Sequence, residues 1–167
     1  YECDPIEILA KKGTTLFINI SSSPFQIAKE NLRYKLIQHH VSKYKKPFVF
    51  LNQIAGNDEL IFDGRSFILD SQSQLISLSP AFREKINTIN LNIDFHPIPY
   101  SPQEEIQSLY QALILGIQDY MKKCGFKKAV MGLSGGIDSA VVCCLASDAI
   151  GAKNVIGVAM PSQFSSK

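Results

Sequence analysis

Apolar and polar positions follow one pattern in the first part of this chain and a different one in the second. Near the start, Ile6 to Lys12 reads as a short helix. Leu16-Phe17-Ile18-Asn19-Ile20 then forms a short apolar run stopped by Ser21-Ser22-Ser23-Pro24, the signature of a strand that ends in a turn. Ile27, Leu32, Leu36, Ile37 and Val41 recur at helical spacing, which predicts a helix to about Tyr44 with these residues in the core. Phe48-Val49-Phe50-Leu51 predicts a second strand. Phe67-Ile68-Leu69, Leu75-Ile76 and the alternating Ile89, Leu91, Ile93 and Phe95 predict a meandering antiparallel section. Strand, helix, strand and then a run of strands fits an α+β or layered α/β/β/α arrangement.

The break comes at Pro97-Ile98-Pro99-Tyr100-Ser101-Pro102, where three prolines in six residues suit an extended connector. A helix is expected directly afterwards, with Glu104 and Glu105 in its first turn, Lys122 and Lys123 in its last, and Gly125 as its stop. Ile106, Leu109, Tyr110, Leu113, Ile117, Tyr120 and Met121 share one face and are expected to pack on a sheet. That sheet begins at Ala129 to Leu133. Ala140 to Ile150 is apolar nearly all round, which predicts a buried helix, and Val155 to Met160 reads as a second strand after Gly151. Strand, glycine turn, helix and strand make a βαβ unit with parallel strands, whose ligand sites lie at the carboxyl ends of the strands. Residues 1–98 and 99–167 are therefore expected to be two domains, each a part of something larger, within a longer polypeptide.

Composition narrows the class. A hydrophobic fraction of 46% with 19% charged residues describes a globular chain with an adequate core. The net charge of +2 gives no electrostatic case for nucleic acid or an anionic membrane, and Lys43, Lys45 and Lys46 read as complements to a helix C-terminus. No apolar run approaches the length of a membrane span and no signal peptide is evident, so a cytoplasmic protein is expected. The four cysteines have neither metal nor disulfide spacing, and Cys143 and Cys144 are expected to be small buried side chains. His39, His40 and His96 lack a second ligand at metal spacing and read as solvent-facing or core-satisfied.

The chemistry concentrates in Ser134-Gly135-Gly136-Ile137-Asp138-Ser139, set between an apolar strand and a helix start. Helix N-termini present unpaired backbone N–H groups and a positive dipole end, and glycines let the backbone approach an anion. Ser134 and Ser139 add hydroxyl donors, and Asp138 is placed either to cap the helix or to hold Mg²⁺ that rides on phosphates. No Gly-Lys-Ser/Thr follows, so the turn is not a Walker A loop, and it is not G-x-G-x-x-G. It resembles the PP-loop, S-G-G-x-D-S, of the ATP pyrophosphatase family, whose members cut ATP between the α and β phosphates and leave AMP on a carbonyl or carboxyl oxygen. Kinase chemistry is disfavoured.

Asn19 to Phe25 and Asn57 to Ser66, taken with Gly132 to Ala140 and Met160 to Ser166, resemble the glutamine-dependent NAD synthetase family over nearly the whole chain. That resemblance implies the C-terminal part of a nitrilase-like α/β/β/α sandwich joined to the start of a Rossmann-like, parallel-sheet domain that binds adenine nucleotide. It implies two linked reactions. A Glu-Lys-Cys triad hydrolyses glutamine through a thioester, and MgATP adenylates the nicotinate carboxylate of nicotinic acid adenine dinucleotide so that ammonia displaces AMP. It further implies a homo-oligomer with an internal tunnel. The readings left beside it are another PP-loop ligase or tRNA-modifying enzyme, and a non-catalytic nucleotide-binding module.

Carried over by position, the resemblance makes Gly132, Leu133, Ser134, Gly135, Gly136, Ile137, Asp138 and Ser139 the ATP-binding residues, with Asp138 at Mg²⁺. Met160 is either an adenosine contact or a core residue. Ser23 and Lys29 match the positions that recognise the glutamine α-amino and α-carboxylate groups, with an ST-turn as the alternative role for Ser23. Lys29 stands where some relatives carry arginine, which forgoes bidentate carboxylate binding. Glu59, Asp63 and Arg65 read as a salt-bridged turn. Cys3 is not the nucleophile: Glu2-Cys3-Asp4-Pro5 has no preceding strand, and a helix starts at once. The triad is expected upstream, and the isolated chain is expected to be inactive.

Overall fold

The computed structural model describes residues 3–91 and 96–161. They fall into two compact units, one drawn from Tyr1–Ile54 and Phe62–Ser108, the other from Ala55–Ile61 and Leu109–Lys167.

The first unit opens with helix α1 (Pro5–Lys11), started by Pro5 and capped by Asp4, whose Oδ1 accepts the Ile6 N–H at 2.9 Å. Strand β1 (Phe17–Ser21) leads through the serine turn to helix α2 (Lys29–Tyr44), which returns the chain to β2 (Phe48–Asn52), parallel to β1. A hairpin of β3 (Ile54–Asn57) and β4 (Leu60–Asp63) follows, its tip belonging to the second unit. Strands β5 (Phe67–Leu69) and β6 (Leu75–Leu78) then extend the first sheet in the order β1-β2-β5-β6, antiparallel from β2 onward.

Strand alternation sends Phe48, Phe50 and Asn52 to the face covered by α2. Phe17, Phe48, Phe50, Phe67, Leu69 and Leu75 pack there against Tyr34, Ile37 and Val41. Each large side chain so buried contributes about 1.5–3 kcal/mol. The expected core of α2 is thus half right. Ile37 and Val41 are buried, but Ile27, Leu32 and Leu36 are exposed, and Arg33 and Tyr34 are buried instead. The helix is turned so that Arg33 faces a buried carboxylate, which carries Leu32 and Leu36 outward.

On the opposite face Ile18, Ile20 and Leu51 are exposed. The alternating Ile89, Leu91, Ile93 and Phe95 were expected to form a strand, but residues 83–91 carry none. They are irregular, and Ile89 and Leu91 line a cavity of about 310 Å³ with Val49, Leu51 and Ile68. Alternating apolar residues serve equally to lodge an irregular segment in a groove. Ile93 and Phe95 lie outside the described residues. The proline-rich segment forms neither helix nor strand and is tied to the first unit. The Ile98 N–H donates to Leu75 O at 2.9 Å, and the Tyr100 ring stacks on Tyr34 at 3.7 Å.

Helix α3 (Glu105–Lys123), whose residues from Leu109 onward belong to the second unit, is started by the Glu104 carboxylate, which accepts from the N–H groups of Ile106 and Gln107. Strand β7 (Ala129–Leu133), helix α4 (Ile137–Ile150), a single 3₁₀ turn and strand β8 (Val155–Ala159) follow, with β7 and β8 parallel as the βαβ pattern predicts. Two expectations of burial fail. On α3, Ile106, Leu109, Tyr110, Leu113 and Tyr120 are exposed, while Ser108 and Ala112 are buried. On α4 only Ala146 is buried; Val141, Val142 and Cys144 are exposed and Cys143 is half-buried. A two-stranded sheet offers too little surface to cover a helix that is apolar all round.

Candidate functional site

The glycine turn lies at the carboxyl end of β7 and opens α4. Gly135 takes φ +82°, a left-handed conformation that side chains disfavour, and this lets the strand reverse into the helix within three residues. Gly136 is the residue that begins α4, and no side chain caps the helix there. Asp138 therefore does not serve as the cap; it is exposed in the first turn. Ser134 Oγ and Ser139 Oγ stand 3.2 Å apart across the turn. Ser139 Oγ donates to Gly136 O at 2.9 Å, and Ser134 Oγ accepts the Gly136 N–H at 3.3 Å. The turn is thus held by its own serine hydroxyls at the start of a helix that no side chain caps, and such an N-terminus leaves N–H groups that can receive an anion.

The same end of the sheet gathers the remaining residues assigned to this site. Gly132 pairs with Val158 and Leu133 with Ala159. Met160, directly after β8, is exposed and so is not a core residue; its Cε lies over Gly132, 2.5 Å from where a Cβ would stand. Leu133 lies over Gly157 in the same way. Gly132, Leu133, Ser134 to Ser139 and Met160 thus share one rim, with Leu133 and Ser139 half-buried and the others exposed. Among the described residues no group of three or more His, Cys, Asp or Glu is placed to hold a metal, so Asp138 is the carboxylate of this rim.

Ser23 and Lys29 occupy the connection from β1 to α2 in the first unit, both half-buried. Ser23 is held by its backbone. Its N–H donates to Asn52 Oδ1 at 2.8 Å, and its C=O accepts from Asn52 Nδ2 at 3.3 Å and Arg33 Nη1 at 3.4 Å. Beneath it Arg33 and Asp63 form a two-pronged ion pair, with Nη1 to Oδ1 at 2.9 Å and Nη2 on Oδ2, and Asn52 Nδ2 also donates to Asp63 Oδ1 at 3.3 Å. Lys29 opens α2 behind Ala28, which has φ +65°.

The expected salt-bridged turn is present at two of its three residues. Asp63 pairs with Arg33, and Arg65 pairs with Glu30 at 2.8 Å while donating to Ser101 O; Glu59 is exposed at the hairpin tip. Cys3 is exposed beside the start of α1. His39 is exposed and His40 half-buried. The motif reading missed Arg33 and Asn52. Their signal is polarity in an apolar phase: Asn52 follows Phe48 and Phe50 on the inward side of β2, and Arg33 precedes Ile37 and Val41 on the inward face of α2.

Residues 109–167 match the family model for NAD synthase. The chain is 41% identical to the glutamine-dependent NAD(+) synthetase of Synechocystis sp., an alignment that covers 99% of this chain and 31% of that protein. It is 37% identical to the enzyme of the same name from Rhodobacter capsulatus, over 95% of this chain and 30% of that protein. The structure of glutamine-dependent NAD+ synthetase from Acinetobacter baumannii in complex with ADP superposes with a TM-score of 0.89 at 30% identity, over 97% of this chain and 32% of that one. The chain spans about a third of the length of the curated relatives it matches. Over almost every residue, through both the upstream α/β unit and the glycine turn, this chain is similar to the glutamine-dependent NAD(+) synthetases.

Proposed function

We propose that this chain is part of a glutamine-dependent NAD synthetase. In this reading residues 1–98 contribute to the nitrilase-like glutaminase domain and residues 99–167 to the ATP-dependent synthetase domain. A carboxylate resists attack by ammonia until one oxygen becomes a good leaving group, and adenylation by ATP supplies that. Ammonia from glutamine then displaces AMP and yields the amide.

The observation that carries this reading is the open N-terminus of α4 behind the Ser134–Ser139 turn, in a chain alike to these enzymes over nearly all its length. The N–H groups of the first turn and the hydroxyls of Ser134 and Ser139 are arranged to hold the β,γ-pyrophosphate as it leaves. The complex of the Acinetobacter baumannii relative with ADP supports nucleotide binding in such proteins; in this reading the nucleotide would sit at this rim, with Gly132 and Leu133 leading into the turn and Met160 against the adenosine. Asp138 fits Mg²⁺, a cation that takes one or two carboxylates and completes its shell with phosphate and water. When bound, it would neutralise charge developing on the pyrophosphate. In the first unit, Ser23 and Lys29 would receive the α-amino and α-carboxylate groups of glutamine. The protein is proposed to act in the cytoplasm as a homo-oligomer.

The test is NAD and pyrophosphate formation by the intact polypeptide, given MgATP and nicotinic acid adenine dinucleotide with glutamine or with ammonia. Both nitrogen sources are expected to yield NAD. Asp138→Ala is expected to lower both rates by about 100-fold or more, the scale on which a phosphate-site electrostatic group acts. Pyrophosphate release only with another acceptor would keep the PP-loop chemistry and discard NAD as product.

A further inference from the structure

The geometry points to Asn52, Arg33 and Asp63 as positioning residues that set the spacing of the two glutamine-recognition groups, Ser23 and Lys29. This rests on the synthetase reading above. Ser23 sits in a turn after β1, where a free backbone would leave its hydroxyl ill-placed. Both polar groups of its backbone are instead gripped, the N–H by Asn52 Oδ1 and the C=O by Asn52 Nδ2 and Arg33 Nη1. Asn52 closes both contacts from one amide.

Arg33 lies one helical turn beyond Lys29 on α2, so its bond to Ser23 O ties the start of that helix to the turn. Asp63 fixes the two donors, with a fork on Arg33 and a bond from Asn52 Nδ2. Asp63 is 1% exposed and Arg33 9%. A buried ion pair is seldom the most stable way to fill such a space, and an apolar pair of similar volume often does as well or better. The pair does supply directional bonds that hold a turn and a helix start in one register. A zwitterionic amino acid needs that register, since its amino and carboxylate groups are at fixed separation.

The neighbouring residue is anchored as well. Glu30, adjacent to Lys29, accepts from Arg65 Nε, Tyr100 Oη and Gln103 Nε2 at 2.8, 3.2 and 2.9 Å. The first turn of α2 is thus braced from two sides.

The experiment compares the intact polypeptide with its Asn52→Ala and Arg33→Lys variants, titrating glutamine and, separately, ammonia, with MgATP and nicotinic acid adenine dinucleotide saturating. Asn52→Ala is expected to raise KM for glutamine about tenfold with little change in kcat, and to leave the ammonia-dependent rate within about twofold of the parent. Arg33→Lys keeps a cation against Asp63 but lacks the fork, and is expected to raise KM severalfold; it carries the test if Asn52→Ala does not fold. An unchanged glutamine KM in a variant that retains ammonia-dependent activity overturns the proposal. So does an equal fall with both nitrogen sources, which would make the network purely structural. The unsubstituted polypeptide separates the deeper failures. NAD from ammonia but not glutamine removes the assignment of Ser23 and Lys29, and NAD from neither removes the synthetase reading.

Discussion

At the scale of single residues, the decisive features are polar groups placed where apolar ones would be expected. Asp63 is almost wholly buried, and its charge is met by Arg33 and by the Asn52 amide. Asp63→Ala leaves a buried guanidinium without its counter-charge, and the expected cost is about 3–5 kcal/mol of folding stability, measured by urea denaturation. The exposed pair of Glu7 and Lys11 is a useful contrast: Lys11→Ala should leave the urea midpoint essentially unchanged, because water screens the pair. A comparable loss at the two sites would mean that Asp63 is better solvated than its surroundings indicate. This contrast also marks what sequence reading could reach. Ser134 to Ser139 are legible because the residue types, their order and the flanking strand and helix are local. The grip on Ser23 was not, since its partners lie 10 and 29 positions away along the chain and the carboxylate that holds those partners lies 40 away.

At the scale of elements, most strands were read from the sequence, but the β3–β4 hairpin was missed, the strand expected at Ile89 and Leu91 is irregular, and the buried faces of the helices were misread. β1, β2, β5, β6, β7 and β8 all lie where short apolar runs predicted them, because a strand in a covered sheet must be apolar on its inward side. Helix α3 shows why the same reasoning failed there. Its large apolar side chains suggested the packed face, yet Ser108 and Ala112 are the buried residues, and Gly116 continues that four-residue spacing. Small side chains let another backbone come close. In the second unit the hairpin tip does so at Gly56, where a Cβ would stand 3.2 Å from Gly116 Cα and 3.3 Å from Asp119 Cβ. The Gly56 N–H donates to Asp119 Oδ2 at 2.7 Å, and its C=O accepts from Lys123 Nζ. Gly56→Val should therefore cost about 1–3 kcal/mol through overpacking. Asp119→Ala should speed hydrogen exchange at the Gly56 amide while leaving the amides between β1 and β2 protected. Unchanged exchange at Gly56 would show that packing alone holds the tip.

At the scale of the whole molecule, pH dependence gives a global reading of how the proline-rich segment is held. The Tyr100 hydroxyl has its pKa pushed well above that of a free tyrosine, first by burial and then by the Glu30 carboxylate that accepts its hydrogen bond. Burial raises Tyr34, on which it stacks, in the same direction. An unfolded chain releases tyrosine protons near about pH 10. Above that point the unfolded state binds fewer protons than the folded one, so stability must fall as pH rises. Below it both states keep the proton and the full contribution of Tyr100 is present. The melting temperature should thus drop between about pH 9 and about pH 11. Lysines also begin to titrate there, so the informative quantity is a difference between variants. Tyr100→Phe keeps the ring on Tyr34 and removes the ionisable group, and its melting temperature should fall less over the same interval. Equal slopes would mean that Tyr100 ionises as freely in the folded chain as in the unfolded one. In that case the segment from Pro97 to Pro102 would be held by its backbone bonds at Ile98 and Ser101 and not by the Tyr100 ring stacked on Tyr34 and bonded to Glu30, both on α2.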